Sequence, residues 1–494
     1  MLLGPQTPRM QVSGPSAALT LTVGLDGFRL VPPPHWRVVG GTLGPFSLDG
    51  YEGDLVTKGD ELRCELRAKP NYPAPRPGLR EMFRMDNPTT RLVLADGSEV
   101  TAEFSDFDFH SARIDPAAGT HDVTGRLNLA HWVHGVPSEA WIAPLRGGRI
   151  DLRRGNLLLL EGDETDPVRS SITNLRLEGN YVWHVVSREK KCFVVVDPQG
   201  QPLEPPRMRD DFYALQVTLG SPLRLDVLTG VDAEGQPRSW AGPLSSGHRR
   251  IPSYGNERIH AVPESHGTDV WEPLFFRALT TSMSARDATP IYMALHALLG
   301  AMPGTNTIDG MYLQLQVTLE ALSRYDDPDP PSLVKDEAKW RDWVAKLRPE
   351  VETHATDVHA ADVLLHKMKY AYQSRRSTDA VINHLNSLAL RVPEALLDEL
   401  PGRHQSAHRL LMNPNEERRI FQRDIERIAK VRTLLLAVLA KRCGYAGPIS
   451  GWVPGDFFGI PDWWPVDARL TEVARTKYIC SRVADRKVVV PSIV

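Results

Sequence analysis

The spacing of apolar residues changes once along this 494-residue chain, and that change limits the folds it can adopt. From about Ala17 to Leu228, short apolar runs alternate with Gly, Pro, Asn and Asp, as in sequences that form β-strands. After Trp271, apolar residues recur at helical spacing. We therefore predict a multi-domain α+β chain with a β-rich N-terminal half, sandwich or barrel-like, and an all-α C-terminal half.

The β-rich half is predicted from several strand-like stretches, among them ALTLTVG, RLVLADGSEVTAEF, GRIDLRRGNLLLLEGDE, CFVVVDPQGQPL and ALQVTLGSPLRLDVLTG. The turn sequences ADGSEV and DPQGQP stand between apolar runs, which favours antiparallel hairpins. We assign residues 17–231 to this region, as one or two domains, after a loose lead-in at residues 1–16. Residues 232–270 have no apolar period and are predicted to be a connecting segment.

Residues 271–450 are predicted to form the helical domain, and the Pro-rich and aromatic residues 451–494 to wrap over it. One helix is marked by apolar residues at i, i+4, i+8 and i+11, which are Met311, Leu315, Leu319 and Leu322. The segments SLVKDEAKWRDWVAKL, ETHATDVHAADVLLHKMKYAYQSRR and STDAVINHLNSLALRV also have helical spacing. The second half is therefore expected to be a helical bundle.

The last long helix has the clearest predicted ends. Asn413 can serve as the N-cap, Pro414 suits the first helical position, and Glu416 completes a capping box. Gly444 is the expected C-cap. Between these ends we predict one apolar stripe, formed by Phe421, Ile425, Ile428, Leu435 and Val438.

Composition points to a soluble protein of a reducing compartment. The formal net charge is −3, so any nucleic-acid binding must come from a local basic surface. The four cysteines, Cys64, Cys192, Cys443 and Cys480, stand alone, without a CxxC pair. The N-terminus lacks a signal-peptide pattern, and no apolar run reaches the roughly 20 residues of a membrane span. We therefore expect a cytoplasmic location.

The sequence PGRHQSAHRLLM places Arg403 and His408 five positions apart. On a regular helix five residues turn about 500°, so the two side chains would lie roughly 140° apart. This geometry suits a site that two protomers complete, and we expect a homodimer. Pro401 and Gly402 should break the preceding helix, so Arg403 is expected near a helix start, where free N–H groups favour phosphate.

These residues resemble the HEPN ribonuclease superfamily, whose helical bundles have an Arg-polar-x3-His motif between late helices. The polar position holds His404 in this chain. The ApeA-like branch is the most similar, because LQVTLEALSRY resembles its early Glu-containing helix and RHQSAH precedes a capped helix that ends in KRCGY. The resemblance spans roughly Asp309 to Gly447. A β-rich region before the bundle is also similar to ApeA proteins.

The resemblance implies a metal-independent endoribonuclease without a cofactor, in which a ribose 2′-OH attacks the adjacent phosphate and leaves 2′,3′-cyclic phosphate and 5′-OH ends. His408 would act as general acid or base, Arg403 would stabilise the transition state, and His404 would assist. Apart from the resemblance, a buried Glu320 could orient Arg403 across the bundle, and a capped or solvated glutamate is the alternative interpretation. The role would be antiviral, or anti-phage, defence by cleavage of cellular RNA such as tRNA, with the β-rich half sensing a trigger such as a phage-derived molecule.

Local charge favours RNA near this motif. From residue 403 to residue 432 there are eight Lys or Arg and four Asp or Glu. The stretch HKMKYAYQSRR interleaves basic and aromatic residues, as in surfaces that bind single strands. The candidate RNA-binding residues are Lys367, Lys369, Tyr372, Arg375, Arg376 and Arg409. A solvated helix face with two core tyrosines is the alternative interpretation of this stretch.

Other interpretations of the motif stay open. Arg403 and His408 can be a solvated arginine and a partly buried histidine at a helix start, and the bundle can be a non-catalytic RNA-binding, protein-binding or dimerisation module. Arg126 and His131 have the same spacing, but Leu127 fills the polar position in a β-type segment, so we regard that copy as accidental.

A metal site was the third possibility. His359, Asp362 and His366, at i, i+3 and i+7, can face one way on a helix. No second ligand cluster accompanies them in the sequence, so no metal is expected. A metal-dependent hydrolase would lose activity with a chelator, whereas the HEPN mechanism would not.

Overall fold

The structure, a computed structural model, describes the chain in a series of ranges, and the statements below concern these residues. The ranges are 10–13, 18–21, 35–43, 46–58, 61–69, 89–115, 120–135, 138–147, 156–157, 173–188, 191–225, 227–232, 237–242, 244–245, 261–262, 271–302, 308–326, 334–369, 377–400, 417–453, 456–459, 461 and 463–466.

Strands dominate the first half of the chain, as the alternating pattern predicts. They are Met10–Ser13 (β1), Ala18–Leu21 (β2), Trp36–Leu43 (β3), Phe46–Ser47 (β4), Tyr51–Lys58 (β5), Glu61–Ala68 (β6), Thr89–Leu94 (β7), Glu99–Asp115 (β8), Thr120–His134 (β9), Ala140–Pro144 (β10), Arg146–Gly147 (β11), Asn156–Leu157 (β12), Thr173–Glu178 (β13), Val182–Arg188 (β14), Lys191–Asp197 (β15), Leu223–Leu225 (β16), Leu228–Val231 (β17), Pro237–Gly242 (β18), Leu244–Ser245 (β19), Gly451–Val453 (β20) and Asp456–Gly459 (β21).

Helices dominate the second half, with one helix inside the first. They are Pro205–Leu219 (α1), Trp271–Met283 (α2), Thr289–Gly300 (α3), Ile308–Asp326 (α4), Glu337–Lys346 (α5), Arg348–His354 (α6), Val358–Lys369 (α7), Ser377–Ser387 (α8), Glu394–Leu397 (α9) and Glu417–Arg442 (α10). The architecture is therefore α+β, as predicted.

Six antiparallel strands close into a ring in the order β9-β6-β5-β3-β7-β8 and back to β9. Strand β7 shows why these residues suit a ring: Thr90, Leu92 and Leu94 are buried, while the residues between them are exposed or half-buried. The predicted ADGSEV hairpin joins β7 to β8, and Gly97 supplies its positive φ of 83°. Closure leaves these strands with few free edges.

The sheet continues beyond the ring through a second set of antiparallel strands. From the far end of β9 it runs through β18, β17, β10, β15, β14 and β13 to β12. Among the described residues, two pairs join β18 to β9 in this ladder, Ala241 with Val133 and Gly242 with Trp132. The ring and the extension are thus parts of one sheet that meet over a short ladder.

Two separate hydrophobic cores follow from this layout. The first lies inside the ring and includes Trp36, Leu55, Leu92 and Trp132. The second is larger and combines the inner faces of β10 and β13–β15 with helices α1–α4, α8 and α10, where ten consecutive residues, 431–440, are buried. We call these the ring core and the composite core.

Helix α1 corrects the strand prediction for ALQVTLGSPLRLDVLTG and the hairpin prediction for DPQGQP. The DPQGQP turn has positive φ at Gln199 and Gly200, but it leads into α1, which begins with two prolines that a central strand would exclude. ALQVTL then forms the last turns of α1, because a segment buried nearly all round has no clear strand period. Gly220, with φ 63°, ends the helix, and only the residues after it form strands.

The predicted unstructured segments also contain regular structure. Strand β18 lies inside residues 232–270, and Ala261 and Val262 in the same segment are fully buried in the composite core. The lead-in, residues 1–16, contains β1, which pairs with β2. The domain bounds themselves stay a prediction.

The last helix, α10, ends where the sequence predicts. Gly444 has φ 67°, its N–H bonds to the carbonyl of Lys441, and the N–H of Tyr445 bonds to that of Ala440, a Schellman motif. The predicted cap at 413–416 lies outside the described residues. The single apolar stripe is a partial description, since α10 is buried all round from Val431 to Ala440.

Part of the aromatic segment after α10 is described, and its predicted wrap over the domain stays a prediction. Strands β20 and β21 form a hairpin, and Trp464 is buried in the composite core. The described helices include none that is both long enough and apolar enough to cross a membrane. Among the described residues, Cys64, Cys192 and Cys443 form no disulfide, and Cys480 lies outside those residues.

Candidate functional site

The predicted catalytic motif lies between two described elements. Residues 401–416 are outside the described ranges, and they include Arg403, His404, His408 and Arg409. Of the predicted RNA-binding residues, Tyr372, Arg375 and Arg376 are outside them as well. The chain is described up to Leu400 and again from the start of α10, so the contacts that can be described are those of residues on either side of the motif.

Helix α4 holds the backbone where the chain enters the motif. The Tyr312 hydroxyl donates to the Glu399 carbonyl at 2.7 Å, and the Gln316 side-chain amide donates to the same carbonyl at 2.9 Å and to that of Leu400 at 3.2 Å. The Gln316 amide also lies 2.7 Å from the Tyr312 hydroxyl. These bonds satisfy carbonyl groups that a chain leaving a helical turn would otherwise leave without partners.

Helix α10 holds the Glu399 side chain. Its carboxylate accepts from Arg427 Nε at 2.8 Å and from Lys430 Nζ at 2.9 Å. Burial alone would raise the pKa of Glu399, but the bonds from Lys430 and Arg427 outweigh burial and lower that pKa. Both cations are largely shielded from water, with side-chain exposures of 5% for Arg427 and 13% for Lys430. Glu399 is therefore a firm, charged connection between the motif's entry point and α10.

Aromatic rings fix the two cations in turn. The Arg427 guanidinium lies 5.1 Å from the centre of the Tyr312 ring, and Lys430 Nζ lies 4.6 Å from the centre of the Trp452 ring on β20. The chain that enters the motif is therefore held by one turn of α4, through Tyr312, and by one turn of α10. That turn of α10 packs against the C-terminal hairpin. We call the set formed by Tyr312, Gln316, Glu399, Arg427 and Lys430 the anchor.

Glu320 lies on the same side of α4 as the anchor. Tyr312, Gln316 and Glu320 are spaced by four residues, so they follow one face of the helix. Glu320 is buried, with 8% of its surface exposed. Its predicted role in orienting Arg403 stays a prediction.

The other predicted residues lie on separate elements. Lys367 and Lys369 are exposed on α7, which packs mainly against α5 and α6. Asp362 on the same helix bonds to Arg348 at 2.6 Å. In the part of the chain that the structure describes, no three or more His, Cys, Asp or Glu are grouped to hold a metal ion.

The second Arg-x4-His pair sits on strand β9 of the ring. Arg126 and His131 are five residues apart there, and His131 has a positive φ of 25°. Our interpretation of the copy as accidental stays a prediction.

Sequence analysis missed the anchor. Glu399 stands two residues before the Pro-Gly pair, and the charge count included Arg427 and Lys430 only as part of a basic region. A signal was present in MYLQLQVTLE, because Gln316 follows a buried apolar position in a helix with a strong apolar period. A buried polar residue there indicates a hydrogen-bond partner across the bundle.

Comparisons with protein-family models, with curated proteins and with solved structures give no match for this chain. Any assignment of function therefore depends on the residues themselves.

Proposed function

We propose that the chain is a metal-independent endoribonuclease of HEPN type, with its site at residues 403–408. The observation that carries the proposal is the anchor, which fixes the residues directly before this motif between two helices of the composite core. Rigid support next to a catalytic segment is what precise positioning of acid-base groups requires. The basic character of residues 403–432 favours a phosphate-bearing substrate.

The proposed reaction uses the RNA's own nucleophile. The ribose 2′-OH attacks the adjacent phosphorus, the bond to the 5′ oxygen breaks, and a 2′,3′-cyclic phosphate and a 5′-OH form. His408 takes or gives the proton, because imidazole titrates near neutral pH. Arg403 bonds to the phosphate oxygens as negative charge develops, and His404 positions the substrate. Glu320 orients Arg403 from α4.

The biological role that follows is defence in the cytoplasm by cleavage of cellular RNA such as tRNA, switched on by a phage-derived or other trigger at the β-rich half. Lys367 and Lys369, with Tyr372, Arg375, Arg376 and Arg409, would then extend the RNA-binding surface. The closed ring supports a sensor role, because it has its own core and can bind a ligand without taking part in the bundle.

The test is RNA cleavage by the full chain in EDTA, with tRNA as substrate and with candidate triggers present. Arg403→Ala should lower cleavage about 10² to 10³-fold, as loss of a charge-stabilising donor usually does. His404→Ala should be milder. Arg126→Ala with His131→Ala is the matched control and should cleave like wild type. Activity that EDTA removes, or an Arg403→Ala variant of full activity, would overturn the proposal.

A non-catalytic dimerisation or binding module is the second candidate. Such a module has a surface for association in an apolar strip on α4, where Leu313 and Val317 lie one turn apart and are 37% and 41% exposed. We expect this strip to lie in a homodimer interface in either case. A dimer by light scattering with no cleavage of any RNA under any trigger would favour the second candidate.

A further inference from the structure

Three consecutive charged residues of α1 contact three different parts of the molecule. Arg209, Asp210 and Asp211 are adjacent in sequence, and each step along a helix turns about 100°. The three side chains therefore point in three directions across about 200°. Each side chain contacts a different element, so α1 connects three parts of the molecule.

Arg209 connects α1 to the ring. Its guanidinium donates to the Glu103 carboxylate on β8 at 2.7 Å, and both side chains are shielded, with exposures of 18% and 8%. Burial raises the pKa of Glu103, and Arg209 opposes that rise. This contact is a charged one between elements of two separate apolar cores, and it is distinct from the aromatic contact of Trp240 on β18 with Trp36.

Asp210 connects α1 to α3. Tyr292 of α3 donates a hydrogen bond to the Asp210 carboxylate, and Arg209 lies beside the same carboxylate at 3.7 Å. One turn farther along, the ring of Tyr213 meets the exposed His296 of α3 edge to face at 5.1 Å. A displacement of Arg209 would therefore change the contact between Asp210 and α3.

Asp211 fixes α1 to the extended sheet. Its fully buried carboxylate accepts from the backbone N–H of Asn180 at 3.0 Å, from that of Tyr181 at 3.0 Å, and from the Trp183 indole at 2.8 Å. The Asn180 side chain adds a bond at 2.8 Å. These bonds give α1 a fixed pivot on the turn between β13 and β14.

Helix α3 leads to the anchor. It packs against both α4 and α10, the two helices whose side chains hold residues 399 and 400. A continuous series of contacts thus runs from Glu103 through α1 and α3 to the start of the motif. The only strand pairing across the same border is the two-residue ladder between β18 and β9, among the residues that the structure describes.

We propose that α1 relays the state of the ring to the catalytic end of the bundle, with the Glu103–Arg209 ion pair as the contact that opens. Opening frees the ring side of α1, the Asp211 pivot holds, and α3 shifts against α4 and α10. This inference rests on the proposed function for its consequence, which is control of RNA cleavage. The relay itself is a property of packing.

The test is amide hydrogen exchange on the full chain carrying Glu103→Gln. Its matched control is Glu99→Gln. Glu99 lies on the same strand, and its ion-pair partner, Arg91, lies on β7, which is also a strand of the ring. Glu103→Gln should speed exchange about tenfold or more in β8, in α1 and also in α3 and α10, since it leaves Arg209 without its charged partner. Glu99→Gln should affect only β7 and β8.

If Glu103→Gln does not fold, Arg209→Lys replaces it, because that change keeps the charge and loses the paired geometry. Faster exchange confined to β8 and β9 in the folded variant would overturn the relay. So would equal effects of the two glutamate variants on α3 and α10. The readout does not depend on catalysis, so a chain that cleaves no RNA can still confirm or refute the relay.

Discussion

The ring and the composite core are built on opposite principles. The ring closes its own hydrogen-bond ladder and its own apolar core within residues 36–132. The composite core joins strands such as β14 to helices as distant in sequence as α10, and its residues run from Val133 to Trp464. The division between strand-rich and helix-rich sequence is therefore not the division between cores. Every strand of the extended sheet from β18 to β13 contributes residues to the composite core, together with the helices.

This difference has a consequence for function. The anchor belongs to the composite core, whereas the ring meets the extended sheet and α1 through a short ladder, the contact of the Trp240 ring on β18 with Trp36, and the Glu103–Arg209 ion pair. An element with its own core is suited to sensing, because ligand binding there does not have to break the other core. The extended sheet, in contrast, cannot move without the helices.

The largest expected effect comes from truncating one buried side chain in each core. Phe276 of α2 is fully buried in the composite core, and Phe276→Ala should lower the free energy of unfolding by about 3–5 kcal/mol. The melting temperatures of the helices and of β13–β15 should fall together. Leu92→Ala in β7 should cost about 2–5 kcal/mol and spare the helices. Calorimetry combined with circular dichroism at a helix wavelength would follow the two effects.

The comparison of the cores would fail if Leu92→Ala lowered the helical transition as much as Phe276→Ala does. A single transition that both variants shift equally would mean that the ring and the composite core unfold as one unit.

A pH series on the composite core gives the next effect. Burial raises the pKa of Asp211 to about 6, so this group's contribution to stability is present below its ordinary pKa and is lost as pH rises through about 6. Burial, with help from Arg176, lowers the pKa of His184 to about 4, so its contribution is present above its ordinary pKa and is lost as pH falls toward about 4. Between pH 4 and 6.5 the two should nearly cancel.

Single variants should reveal each slope. His184→Gln should leave a core whose stability rises by about 2–3 kcal/mol as pH falls through this window, and Asp211→Asn should leave one that loses a similar amount. Chemical denaturation at several pH values measures both. Parallel slopes in the two variants would contradict this assignment of the buried groups.

The smallest effect on stability, but a selective one on function, is expected at the anchor. Glu399→Gln removes the charge between Arg427 and Lys430 and should cost about 1–3 kcal/mol, the usual range for a buried bond lost on one side. Because the pKa of Glu399 is lowered, its contribution is present above its ordinary pKa and is lost as pH falls through the lowered value. RNA cleavage should fall more than stability does.

The matched control is Glu426→Gln, since Glu426 also meets Lys430, at 3.6 Å, but with a side chain that is 42% exposed. It should change neither cleavage nor melting by a measurable amount. An equal loss of cleavage in both variants would mean that charge near α10, and not the anchor, matters.

The sequence predicted those features that local chemistry decides. The hairpin at ADGSEV, helix α4 and the Schellman end of α10 follow from turn residues, apolar period and glycine, and all three are present. For part of helix α1 the sequence predicts a strand. This helix is buried on nearly all sides, so its apolar residues show no helical spacing. Local pattern cannot separate a fully buried helix from a buried strand.

Long-range pairing was beyond the sequence for a different reason. Strand β18 has few strand-type signals of its own. It pairs with β17 and with β9, and β9 is distant from it in sequence. Glu399 likewise becomes part of the anchor only through its contacts with α4 and α10. Neither contact changes the local spacing of residues, so neither can be predicted from one sequence.

The central claim is that His408 transfers the proton in RNA cleavage at the end of the composite core that the anchor fixes. The most direct measurement is the yield of 2′,3′-cyclic phosphate ends from tRNA, in EDTA and with trigger, for wild type and His408→Ala. Loss of a general acid or base typically costs about 10² to 10⁴-fold, so the account predicts cyclic ends from wild type and almost none from the variant. Equal yields of cyclic ends from both proteins, with the fold intact, would contradict it.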